Sequence, residues 1–154
     1  MRHLAQLNIG KLRGGRDDSA MAGFFDNLDR VNAAAERMPG FVWRLKDDSG
    51  NATNIPWVGD PNMAVNLSVW ESVEALEKFV WQTVHTKIYA RKAEFFEKPA
   101  TPHFVRWWIE AGHIPTVGEA KERLLHLEAH GPTADAFTFK QPFAPPAVLE
   151  SADR

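Results

Sequence analysis

Four stretches of this chain, residues 4–12, 41–46, 65–70 and 103–110, place an apolar side chain at every second position. Successive side chains on a strand point to opposite faces of a sheet, so that period reads as four β-strands with one shared apolar face. Ala5, Leu7, Ile9, Phe41, Trp43, Leu45, Val65, Leu67, Val69, Val105, Trp107 and Ile109 would make up this face. The other would carry Gln6, Asn8, Val42, Arg44, Asn66, Ser68, Trp70, Phe104, Arg106 and Trp108. That second set is mixed, yet too aromatic for open water. Both faces of the sheet should therefore be buried.

Helices are expected between the strands. Asp17, Asp18 and Ser19 offer N-caps to a helix in which Met21, Phe24, Phe25, Leu28, Val31 and Ala35 recur at helical spacing, and Pro39-Gly40 ends it. Ser72 can cap a second helix with Val73, Leu76, Val80 and Val84 as its stripe, helical character running on towards Phe96. Thr116-Val117-Gly118-Glu119 is a capping box for a last helix through Leu124, Leu125 and Leu127, stopped at Gly131-Pro132. The order is strand, helix, strand, strand, helix, strand, plus one extra helix. It predicts an α+β, ferredoxin-like βαββαβ domain with a four-stranded antiparallel sheet over residues 1–140, and a Pro-rich tail over 141–154. Such a domain covers one sheet face with helices. The second face is expected to meet another subunit, which predicts a homodimer. The long connection over 47–62 has the length of a lid or binding element.

Composition narrows the function. With 18 basic and 20 acidic residues the chain lacks the concentrated positive charge that a phosphate backbone requires, so no nucleic-acid partner is expected. There is no cysteine, hence no disulfide, thiolate nucleophile or zinc-thiolate site. No apolar run approaches the roughly 20 residues that span a bilayer, and Met1-Arg2-His3-Leu4 leads directly into strand sequence, so a cytoplasmic protein without a membrane partner is expected. Dinucleotide, P-loop and nucleophile-elbow motifs do not occur.

Two groups of residues could carry chemistry. On the mixed face Asn8, Arg44, Asn66, Ser68 and Arg106 interleave hydrogen-bonding groups with Trp70 and Trp108, as a ligand pocket requires. A polar subunit interface would use the same residue types. On the second helix, His85 lies one turn before Tyr89 and one turn after Trp81. An imidazole with an ordinary pKa of about 6.5 can serve as general base or metal ligand, and a neighbouring phenol can orient a substrate. A structural histidine in a buried or interfacial hydrogen bond fits that position equally. Glu122, His126 and His130 recur at four-residue steps, but a metal needs further ligands and a second shell, so no metal site is assigned.

The segment Asn66-Leu-Ser-Val-Trp70-Glu-Ser-Val-Glu-Ala-Leu76, followed by His85, resembles the strand-to-helix core of the dimeric α/β-barrel superfamily, in its antibiotic-biosynthesis-monooxygenase-like branch. With Phe41-Val-Trp-Arg44, Trp107-Trp108, Gly112-His113-Ile-Pro115-Thr116 and Ala120-Lys-Glu-Arg-Leu124, the chain is similar over about residues 3–139 to a bacterial family of unassigned function within it. The resemblance implies a pocket between sheet and helices, and two sheets meeting as a barrel at a dimer interface. Relatives degrade haem, oxidise polycyclic phenols without a cofactor, cyclise polyketides or only bind ligand. Haem-degrading relatives use an Asn on the first strand, a Trp near the end of the third and a helix His. Asn8, Trp70 and His85 hold comparable places, although the 47–62 loop departs from the compact haem-degrading pattern.

The expected function is thus that of a small-molecule-binding protein, either a monooxygenase-like or cyclase-like enzyme or a non-catalytic metabolite-binding or interaction dimer. In the enzyme reading His85, Asn8 and Tyr89 would act on the substrate, a small aromatic or apolar molecule. Arg44, Asn66, Ser68, Trp70, Arg106 and Trp108 would hold it, either with haem or with no cofactor.

Overall fold

The computed structural model describes residues 1–14, 18–46, 63–81, 91–98, 103–140 and 143–145. The 47–62 connection, His85 and Tyr89 lie outside these residues. Strands β1 (Arg2–Lys11), β2 (Phe41–Arg44), β3 (Met63–Trp70) and β4 (Phe104–Glu110) form one antiparallel sheet in the order β2-β3-β1-β4. Helices α1 (Ala22–Glu36), α2 (Val73–Val80), α3 (Lys92–Phe95) and α4 (Val117–His130) complete the described elements. The fold is α+β and ferredoxin-like.

Local chemistry sets the element ends. Asp18 accepts the Ala20 N–H at 2.9 Å and opens a short 3-10 turn, Ser19–Met21, ahead of α1. Ser72 Oγ accepts the Ala75 N–H at 3.1 Å at the start of α2, and Thr116 Oγ1 accepts the Glu119 N–H at 3.1 Å at the start of α4. Between α1 and β2 the chain turns at Gly40, with φ 88°. A side-chain carbon there would fall 2.5 Å from Ala75 Cβ, so the turn requires glycine both for its dihedral and for its approach to α2.

The face facing α4 is the apolar one. Ala5, Leu7, Val105 and Trp107 are fully buried there against Ala120, Leu124 and Leu127. The extra C-terminal helix thus covers the apolar face within the chain.

The mixed face is covered by α1 and α2, and its two ends are apolar. At one end Leu4 and Trp70 pack with Ala35, Leu76 and Phe79; at the other, Leu12 packs with Met21, Phe24 and Phe95. Phe41 belongs to the first of these clusters, not to the apolar face where strict alternation puts it. The reason is a bulge in β2. Phe41 opposes Trp70 and Trp43 opposes Val69, so Val42 is an extra residue, 39% exposed, and the two aromatics turn to opposite faces.

The segment after α4 returns to the sheet. Phe137 exchanges both backbone hydrogen bonds with Arg106 on the outer edge of β4, and Phe143 packs beside it over the mixed face. Among the described residues no helix is long and apolar enough to cross a membrane.

Candidate functional site

Cross-strand register places the polar residues of the mixed face in rows. Arg44 opposes Ser68, Ser68 opposes Gln6, and Gln6 opposes Arg106, so one polar row crosses all four strands. The next row is Asn66, Asn8 and Phe104. On the other side of the polar row stand Trp70, Leu4 and Trp108. The seven residues expected on this face from the sequence, Asn8, Arg44, Asn66, Ser68, Trp70, Arg106 and Trp108, are thus brought together on three adjacent rows.

Their environments differ. The Gln6 amide nitrogen donates to Asn66 Oδ1 at 2.5 Å and to Ser68 Oγ at 2.7 Å, and the Trp70 indole donates to the same Ser68 oxygen at 2.9 Å. Ser68 is buried; Asn8 and Asn66 are exposed. Trp70 is 1% exposed, stacked on Phe79 at 5.4 Å and met edge-on by Phe41. Its rings are committed to packing, with no face left for a ligand. Trp108 is half-buried and donates its indole N–H to the Phe143 carbonyl at 2.9 Å.

Both arginines already have carboxylate partners. Arg44 Nε lies 2.9 Å from Glu36 Oε2 at the end of α1, and Arg106 Nη1 lies 2.9 Å from Glu77 Oε1 on α2. The Arg106 side chain is only 7% exposed, and its guanidinium lies 5.5 Å from the centroid of the Phe139 ring. The second Glu77 oxygen receives the Trp81 indole N–H at 3.3 Å. Trp81 itself is 60% exposed at the C-cap of α2.

Gln6 and Glu77 were not singled out in the sequence reading. Gln6 stood on the mixed face and only its hydrogen bonds distinguish it. Glu77 did carry a signal: it lies four residues after Val73 and three before Val80, which puts a carboxylate on the same flank of α2 as these apolar residues.

Two further polar clusters lie away from this face. Glu119 does not complete the capping box with its side chain; its carboxylate accepts the Trp107 indole N–H at 2.9 Å and lies 2.6 Å from His113 Nε2. Burial pushes the Glu119 carboxyl up, but the bonds from His113 and Trp107 and the charges of His113 and Arg123 outweigh it and hold the group below its usual range. His103 lines a shallow cavity of about 370 Å³ with Phe104, Leu127, Gly131, Pro132 and Thr138. Burial, helped by the charge of Lys92, holds its imidazole below its ordinary value. His126 and His130 lie with ring centroids 4.5 Å apart. Among the described residues no group of three or more His, Cys, Asp or Glu could hold a metal ion.

The model of a family described as a domain of unknown function, DUF3291, matches residues 3–153. The chain belongs to the DUF3291 family. No curated protein matches this DUF3291 chain. Solved structures similar to it include NE2512, a protein of unknown function from Nitrosomonas europaea, with a TM-score of 0.50, 15% identity and coverage of 75% of this chain and 97% of that one. A conserved protein from Methanosarcina mazei Go1 is similar with a TM-score of 0.50 and 11% identity, over 71% of this chain and 93% of that one. SnoaB, a cofactor-independent oxygenase from Streptomyces nogalater, is similar with a TM-score of 0.45 and 18% identity, over 74% and 97%. What the DUF3291 chain shares with the first two is the fold.

The described residues do not fit a haem. Trp70, which holds the place of the Trp used by haem-degrading relatives, is enclosed by Phe41 and Phe79, and both arginines of the face are paired with Glu36 and Glu77.

Proposed function

We propose that this protein binds a small organic molecule against the mixed face of its sheet, in the layer between that face and α1 and α2. The observation that carries the reading is the polar row Arg44–Ser68–Gln6–Arg106, flanked by the exposed amides of Asn8 and Asn66 and set between two apolar clusters. A ligand there would bury an apolar body at the ends and meet oriented hydrogen-bonding groups in the middle.

In the enzyme reading the chemistry is oxygenase-like or cyclase-like, with His85 as base and Tyr89 and Asn8 orienting the substrate. The second reading is a non-catalytic metabolite-binding or interaction dimer. One feature favours it: the described groups of the face are amides, a hydroxyl and paired arginines, and none of these moves a proton near neutral pH. Proton transfer would therefore depend on His85 and Tyr89. A metabolite screen followed by His85→Ala separates the two. Loss of turnover with a change in affinity below about tenfold, roughly 1.4 kcal/mol, supports the enzyme. A ligand bound without turnover by the wild type supports the binding protein. A ligand whose binding ignores Asn66→Leu and Ser68→Ala would sink the assignment of this face altogether.

A further inference from the structure

By residue type alone the polar row, with an arginine at each end, suggests a site for anions. The ion pairs reverse that conclusion. Each guanidinium is met at 2.9 Å by a carboxylate from a helix lying over the face, Glu36 from α1 and Glu77 from α2. Arg106 is the more deeply set, and the Phe139 ring lies on it as well. Glu77 is itself held by Trp81. A carboxylate ligand reaching Arg106 would have to lie beside the Glu77 carboxylate already bound to it, like charge against like charge.

What the face offers instead is neutral. Gln6 spends its amide hydrogens on Asn66 and Ser68, and Ser68 accepts from both Gln6 and Trp70. Asn8 and the Asn66 amide nitrogen remain without a partner among the described residues. Amides recognise carbonyl, hydroxyl and amide groups without needing a countercharge.

We infer that Glu77, with Glu36 as its counterpart at the other end of the row, is a specificity-determining residue that makes this face select uncharged hydrogen-bonding ligands and reject carboxylates. The inference rests on the mixed face being the binding site. Its ligand class is a planar or apolar body carrying a neutral polar edge.

A pair of isosteric probes tests it: naphthalene carboxamide and naphthalene carboxylate, titrated at neutral pH into wild type, Glu77→Gln and Glu36→Gln, with binding read from the side-chain amide NMR signals of Asn8 and Asn66. In wild type the carboxamide should shift those signals and the carboxylate should bind at least about tenfold more weakly. Either glutamine variant, by removing a carboxylate charge from beside an arginine, should bring the carboxylate level with the carboxamide or ahead of it. If Glu77→Gln does not fold, Glu36→Gln carries the comparison, since Glu36 is the more exposed carboxylate. Wild-type binding of the carboxylate as tight as that of the carboxamide overturns the selectivity and leaves the site standing. Discrimination that survives both substitutions overturns the roles of Glu77 and Glu36. Silence of both amides towards both probes at millimolar concentration overturns the site, and the inference with it.

Discussion

The ring of Phe96 lies directly over the backbone of Gly10, where a side-chain carbon on the glycine would fall 2.5 Å from Phe96 Cδ1. The contact fastens the segment after α3 to the far end of β1, where Glu97 N–H also bonds to the Lys11 carbonyl at 2.8 Å and Arg13 N–H to the Phe95 carbonyl at 2.8 Å. Gly10→Ala should therefore cost about 1–3 kcal/mol in urea unfolding, the usual range for overpacking. Phe96→Leu in the same chain should recover part of the loss, giving a coupling of at least about 0.5 kcal/mol in a double-mutant cycle.

Trp70 and Trp81 should separate cleanly in the same assay. Trp70→Ala removes a fully enclosed indole and its bond to Ser68, for an expected loss of about 3–5 kcal/mol. Trp81→Ala removes an exposed ring and should stay within about 0.5 kcal/mol. Equal losses would show that the enclosure of Trp70 is not what stabilises this end of the sheet.

On α4, Leu124→Ala and Leu127→Ala should each cost about 2–5 kcal/mol, because both side chains fill the apolar sheet face. Leu125, on the outer side of the same helix and 57% exposed, should tolerate alanine within about 0.5 kcal/mol. A large loss at Leu125 alone would point to a second copy covering it.

The sequence made much of this legible, for reasons that are local. Period-two alternation marks the strands, and the caps at Ser72 and Thr116 act on backbone N–H groups three residues away. The docking of α4 was not legible, since its apolar stripe records that it has a buried side and not which surface buries it. The carboxylate partners of the arginines were not legible either. Arg106 finds its partner 29 residues back in the chain, and no pattern within β4 announces a carboxylate arriving from α2. The packing of Trp70 was hidden too, because an aromatic residue on a polar face reads alike whether a ligand or Phe79 lies on it.

Acid should weaken the fold in two stages. The His103 imidazole is held below its ordinary value, so the unfolded chain takes up its proton first; stability from this group is complete above about pH 6.5 and is lost as pH falls through the lower folded value. Glu119 is also depressed, so its contribution is complete above the unfolded carboxylate range near pH 4.5 and is lost at lower pH. Urea midpoints measured from about pH 7.5 down to about pH 3 should show Glu119→Gln flattening only the lower part of the curve. His103→Gln should flatten only the upper part.

Haemin should give no saturable Soret shift that depends on His85, because the described face closes round Trp70 and pairs its arginines internally. A specific shift lost in His85→Ala would reverse that conclusion and put a haem against this sheet.

The bulge in β2 changes what an edit to that strand would do. Removing one residue from a strand normally turns every side chain beyond the cut to the wrong layer. At Val42 the deletion would do the opposite, because Phe41 already opposes Trp70 and Trp43 already opposes Val69 across the surplus residue. The shortened strand would have plain alternation and keep both aromatics in their present layers, so position 42 is where this edge of the sheet can change length without changing its faces.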